Sequence, residues 1–274
     1  MRSVSRLTVS GVLIAMVVGG CGSTSTTGHT AGSNSSSTPS PPSARELLLT
    51  AAKKASETSV RVDASVAVQF GGTGSVAQQF SASSATISFH LDLQSATAMS
   101  GSMSATVNGR SLTIPLTVVN GTVYVSSDGG ATYKTAPAGS STTDNLNASL
   151  EYLQSVGSVT DTGTASLNGA SVHTYHAVFD PTTATAYLRG KLASSSTNAN
   201  VVKLFQSLSI TGGAIDVSID ANGHLAQENG EIDASMNSAA FASSQTGTVT
   251  FAEKFNATFS DYGAHIVVTP PPGA

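Results

Sequence analysis

The sequence predicts an α+β protein: a single curved antiparallel half-barrel sheet with helices covering the concave side. Three observations predict it. Segment after segment alternates apolar and polar residues with a period of two, the signature of a strand buried on one face. Asn-Gly or Asp-Gly pairs fall between many of these segments (108–109, 120–121, 128–129, 168–169, 222–223) and favour tight hairpins over crossovers. Helical stripes are few and short, so a large apolar sheet surface has little to cover it, and a cupped sheet resolves that mismatch.

The elements follow in chain order. Ser43-Ala44-Arg45-Glu46 forms a capping box, the serine and the glutamate satisfying each other's free amides. Leu48, Ala51, Ala52 and Ala55 then share one face of a helix ending near Thr58. Val60, Val62, Ala64, Val66, Val68 and Phe70 alternate with polar or small residues and predict a half-buried strand. Residues 71–84, rich in Gly, Ser and Gln, read as a long loop or ragged hairpin. Ile87, Phe89, Leu91 and Leu93 resume the alternation, and Met99, Met103, Ala105 and Val107 continue it. Leu112, Ile114, Leu116 and Val118 make the next strand, which Pro115 places at an edge, at a bulge, or with its donor-less nitrogen outward. Val123 to Val125 and Tyr133-Lys134 are short strands.

The sheet is then interrupted. Leu146, Leu150 and Leu153 predict an amphipathic helix over 144–155, and strands return at 164–168 and 171–179. Asp180-Pro181 reads as an N-cap and a first-turn proline, opening a helix weakened at Gly190. Val201, Leu204, Phe205 and Leu208 form a second helical stripe. The last block is strand again: Ile215 to Ile219, Leu225 to Ala234, then Val249, Phe251, Phe255, Ala257 and Phe259, then Ile266 to Val268. This amounts to nine to eleven strands, with about four helices in two places. The uninterrupted meander, without linker or repeat, predicts one domain over 44–274.

The first 43 residues are of another kind. Arg2 and Arg6 precede a run from Leu7 to Val18, too short for a membrane span of ~20 residues, as in a secretory signal. It ends at Val18-Gly19-Gly20-Cys21, which holds the single cysteine of the chain and resembles a bacterial lipobox with valine in place of leucine. Cleavage after residue 20 makes Cys21 the first mature residue, with a diacylglycerol on sulfur and a palmitate-type chain on nitrogen. Two or more chains hold a protein on a membrane where one does not. An unpaired thiol elsewhere in an exported chain would lack such a role. Residues 22–43 are, apart from His29 and Ala31, all Gly, Ser, Thr, Asn and Pro, unable to bury enough apolar surface to order themselves, and read as a tether reaching roughly 25 Å.

Composition narrows the function. Residues 1–20 hold two of the twelve Lys+Arg and none of the sixteen Asp+Glu, so the remainder carries ten basic against sixteen acidic residues, a charge of −6. No basic patch exists, so nucleic acid is not an expected partner. With no second cysteine the exported chain has no internal disulfide and relies on burial. No cofactor is expected, and no Gly-x-Ser-x-Gly elbow or Ser-x-x-Lys appears. His173 and His176, three apart in a strand, fall on opposite faces and share no metal. Asp216 with Asp220, and Glu231 with Asp233, are same-face carboxylates expected to be solvated. The expectation is that the protein is not an enzyme. The alternation alone leaves two occupants open for the apolar face, the protein's own helices or foreign acyl chains.

Further phrases carry a resemblance. An Ala-Arg-Glu-Leu-Leu helix leads into the meander. Later come Asp161-Thr162-Gly163, the stretch Asn168-Gly169-Ala170-Ser171-Val172-His173-Thr174-Tyr175-His176, and an ending Ser260-Asp261-Tyr262-Gly263, then Ile266 to Pro271. Over about 44–272 the chain resembles the actinobacterial LppX/LprA/LprF/LprG lipoproteins, relatives of the LolA/LolB carriers. The 71–84 segment is longer than that group leads one to expect. The resemblance implies an apolar cavity between sheet and helices, and carriage or display of lipids or lipoglycans on the extracytoplasmic face of the cell membrane. The expected lining is Val62, Val66, Val68, Phe89, Leu91, Met103, Leu116, Leu204, Phe205, Val217, Phe251 and Phe255, with helices around 182–208 as a movable lid. The alternative is an envelope module that acts without a ligand, through protein contacts with a membrane transporter or sensor.

Overall fold

The computed structural model describes residues 42–76, 84–95, 97–107, 109–135, 152–194, 199–237, 239 and 246–273. Among these, eleven strands form one antiparallel sheet that does not close into a barrel. They are β1 (Val60–Gly72), β2 (Ser84–Ser95), β3 (Ala98–Val107), β4 (Arg110–Val119), β5 (Thr122–Val125), β6 (Lys134–Thr135), β7 (Val156–Leu167), β8 (Ala170–Phe179), β9 (Ser209–Asp220), β10 (Leu225–Asn237) and β11 (Thr248–Ser260). The spatial order is β6-β5-β4-β3-β2-β1-β11-β10-β9-β8-β7. Two meanders, β1 to β6 and β7 to β11, are therefore joined by one seam, where β1 pairs β11 from Arg61↔Ser260 to Gly72↔Val249.

Three helices accompany the sheet among the described residues: α1 (Ala44–Glu57), α2 (Pro181–Ser194) and α3 (Ala199–Gln206). The Ser43–Glu46 capping box starts α1, and Leu48, Ala51, Ala52 and Ala55 are its buried face. Lys54 Nζ donates to the Asn222 carbonyl at 2.8 Å, fixing the end of α1 against the β9–β10 turn. Asp180 caps α2, its carboxylate accepting from the Thr183 amide at 2.7 Å. All three helices pack on the half of the sheet built from β7 to β10. Together they bury Leu48, Phe179, Ala184, Phe205, Leu208, Ile215 and Val217 in one cluster.

Several expectations change. The strand placed at 164–168 begins at Val156. Its first half carries little alternation and is held by pairing with β8 through two register shifts. Tyr152–Ser155 is a 3-10 turn, not the end of an α-helix, while 144–151 lie outside the described residues. Residues 266–268 join no ladder; the Val268 amide instead donates to the Gln94 side chain at 2.9 Å. Of the 71–84 segment, strand β1 takes the first two residues and Gly74–Val76 forms a 3-10 turn. Leu208 lies beyond α3 yet is fully buried. Gly190 does not interrupt α2.

Pro115 finds its reason in the edge. Strand β4 pairs with β5 only from Leu116 to Val119. The Pro115 carbonyl accepts from Ser126 on that outer side at 3.0 Å. In an antiparallel ladder a residue's nitrogen and carbonyl face the same way, so the missing N–H falls where β5 has ended.

Candidate functional site: an apolar row across the sheet

Register decides which side chains meet. Ala257 on β11 stands opposite Ala64 on β1, Ala64 opposite Phe89 on β2, Phe89 opposite Met103 on β3, and Met103 opposite Ile114 on β4. All five therefore point to one face, and all five are half-buried. With strands ~4.8 Å apart the row runs roughly 19 Å across the sheet. Its β11 end is low, because Ala257 and Ala64 have small side chains, and Gly101 beside Met103 has none. Adding a Cβ to Gly101 would bring it to 2.0 Å from the His90 carbonyl oxygen. Leu91 and Phe255, also half-buried, stand beside the row.

Burial fades along this face. On β3 and β4, Met99 and Val118 are fully buried, Met103 and Ile114 half-buried, and at the far end Val107 and Leu112 are 37% and 53% exposed. The buried end is held by a second cluster of Val60, Val62, Leu93, Met99, Leu116, Val118 and Val123, against which Phe259 and Tyr262 pack.

The residues expected to line a cavity divide accordingly. Ten of them (Val62, Val66, Val68, Phe89, Leu91, Met103, Leu116, Val217, Phe251 and Phe255) lie on strands, and cross-strand register puts all ten on the same face. Phe89, Leu91, Met103 and Phe255 are half-buried, whereas Val62, Val66, Val68, Leu116, Val217 and Phe251 are fully buried. Phe205 is buried at the end of α3, and Leu204 lies in the same helix. Cys21 lies outside the described residues.

Two carboxylates on this apolar face escaped sequence reasoning. Glu253 occupies the in-phase position between Phe251 and Phe255, opposite Val68 and Ile232, and is 4% exposed. Its Oε1 has no hydrogen-bond partner, and burial alone pushes its carboxyl up from 4.5 to about 7. Glu228, equally buried, stands opposite Ala257 at the end of the row. Near it the Tyr262 ring stacks on His224 at 4.4 Å. Burial first, then the charges of Glu228 and Asp220, push the Tyr262 hydroxyl up. The signal for Glu253 was present: it is a charged residue in phase with an otherwise apolar strand face.

The opposite face is polar. There a shallow depression of about 320 Å³ is lined by Asp63, Ser65, His90, Ser102, Asn256 and Thr258, among others. Asp63 holds His90 Nδ1 at 2.5 Å, and Ser102 stands opposite His90, so acid, imidazole and hydroxyl fall in line. Acyl transfer also needs amides aimed at a developing oxyanion. Strands β1 to β3 have ladder partners on both sides here. His173 bonds Asp161 at 2.7 Å, and His176 bonds Asp216 at 2.7 Å from the other face. The His173 bond leads the causes that hold Asp161 below the usual carboxylate range. Burial raises Asp220, but the amides of His224 and Asn222 outweigh it and leave its carboxyl lowered. No group of three or more His, Cys, Asp or Glu suited to a metal occurs among the described residues. No helix among them is long and apolar enough to cross a membrane.

No family model and no curated protein matches this sequence. Among solved structures, the chain is similar to LprF from Mycobacterium bovis at 16% identity, covering 84% of this chain and 97% of that one with a TM-score of 0.45. It is similar to the lipoprotein LppX from Mycobacterium tuberculosis at 15% identity, covering 81% and 98% with a TM-score of 0.40. A LolA-superfamily protein from Nitrosomonas europaea matches at 8% identity, covering 83% and 96%, with a TM-score of 0.25.

Proposed function

We propose that this protein is a membrane-anchored envelope lipoprotein of the LppX/LprF type that holds lipid acyl chains against the apolar face of its sheet. The observation that carries the reading is the half-buried row from Ala257 to Ile114, continued by exposed Leu112 and Val107. A contiguous apolar surface left part-open marks a place for an apolar partner. The row is long, narrow and without a charge between its ends, which suits an extended hydrocarbon chain. In this reading residues 1–20 are a signal peptide, Cys21 carries the acyl anchor, 22–43 are a tether, and 44–274 are the lipid-binding domain. The protein carries or displays its lipid, or a lipoglycan's acyl chains, on the extracytoplasmic face and performs no chemistry on it.

Native mass spectrometry of the chain from residue 22 onward, expressed in a lipid-rich host, tests this. The expected result is an added mass that dissociates as a defined lipid and is diminished by Ile114→Asn. A clean mass that stays unchanged after incubation with lipid would refute the reading and assign the open face to protein contacts.

A further inference from the structure

Glu253 is an anomaly that the apolar row does not explain. Its strand neighbours on the same face are Phe251 and Phe255, and its cross-strand neighbours are Val68 and Ile232. A buried polar atom without a partner costs free energy and calls for a cause. No described residue hydrogen-bonds its Oε1, and leucine at the same place would remove the cost. Glu253 stands where the filled core meets the part-open surface: Val68 and Phe251 beside it are buried, whereas Phe255 and Ile232 are half-buried. The Phe255 ring lies over Gly230, where an added Cβ would fall 2.5 Å from the ring edge. The part-open surface therefore runs from Ile114 through Met103, Phe89, Ala64 and Ala257 to Phe255 and then to Ile232. Glu253 stands at its inner end.

We propose that Glu253 is the polar anchor of the ligand site, donating a hydrogen bond from its protonated carboxyl to an uncharged oxygen of the bound lipid, an ester carbonyl or a hydroxyl. The proposal rests on the lipid-binding reading and adds the chemistry that is recognised. A neutral acid in apolar surroundings favours a neutral acceptor, since a phosphate or carboxylate there would be a desolvated charge without a counter-ion. The raised carboxyl, protonated up to about 7, is the form such a bond needs. Ligands are expected to lie with their apolar chain along the row and the oxygen-bearing group at Glu253.

The test uses full-length protein in detergent micelles, incubated with equimolar methyl palmitate and octadecane, the bound masses being resolved by native mass spectrometry. The two probes match in length and differ in the ester. Wild type is expected to prefer the ester about fivefold, the scale of one hydrogen bond. Glu253→Leu erases the preference while still binding octadecane, and Glu253→Gln, which keeps a donor, retains it. Glu253→Met serves if the leucine variant does not fold. Equal binding of the two probes by wild type, or a preference that survives Glu253→Leu, overturns the anchor and leaves the lipid-binding reading standing. Failure of wild type to bind either probe overturns the lipid-binding reading and the anchor with it.

Discussion

The two halves of the apolar face differ in what covers them. On β7 to β10, helices α1, α2 and α3 lie against the sheet, and Leu208, Ala177, Val217 and Leu225 are completely buried. On β3 and β4 the same alternation ends in Val107 and Leu112, both exposed. The residue types are alike, aliphatic with occasional aromatics. The difference lies in what stands above them, and it separates side chains that hold the fold from side chains available to a ligand. An apolar strand face in a sequence announces burial without saying what does the burying.

Mutations sharpen the contrast, and the largest effect belongs to the covered half. Leu208→Ala removes a wholly buried side chain and is expected to cost about 2–5 kcal/mol, read as a lowered urea midpoint. Next comes Glu253, between the halves. The folded carboxyl keeps its proton up to about 7, while the unfolded one releases it near 4.5. The folded state thus binds the extra proton, and stability falls as pH rises through that window. Wild type is expected to lose on the order of 3 kcal/mol between pH 4 and 8 relative to Glu253→Leu, followed by thermal unfolding across pH. A parallel loss in the two proteins would remove Glu253 as the cause.

Smaller effects follow. Ser43→Ala takes away the cap of α1 and is expected to cost about 1 kcal/mol in chemical unfolding, without altering lipid uptake. Leu112→Ser, in the open half, is expected to shift stability by less than about 0.5 kcal/mol. It should nonetheless reduce the lipid recovered with the protein. Were Leu112→Ser as damaging to stability as Leu208→Ala, the distinction between the halves would collapse.

Much of this was legible in the sequence, for a physical reason. Strand β1 alternates without interruption, and its face and its start follow from period two alone, while pairing with β11 carries it two residues further, to Gly72. The Ser43–Glu46 box and the Asp180 cap are local chemistry and are met where expected. Strand β7 was half hidden because Val156 to Gly163 have few apolar residues; pairing with β8 makes it a strand. Ile266 to Val268 misled in the opposite direction, since alternation needs a neighbouring ladder to become a strand. At the site, the shared face of the expected lining residues was readable, but the row was not. It depends on register between strands far apart in sequence, above all Ala64 with Ala257. Glu253 was passed over because one charge in an apolar series looks like noise until its burial is known.

The seam between β1 and β11 has a consequence for how the molecule is made. A chain that leaves a ribosome or a membrane channel from its N-terminus delivers β1 early and β11 almost last. Until β11 arrives, β1 is an open edge carrying Val60, Val62, Val66 and Val68, with only β2 beside it. Joining the meanders then means closing a loop of nearly the entire sheet, the kind of long-range contact that slows folding. The early half must therefore survive as a sticky, unfinished surface in a place where other unfolded chains also emerge. Whatever shields that edge in the interval governs the yield of folded protein as much as the final stability does.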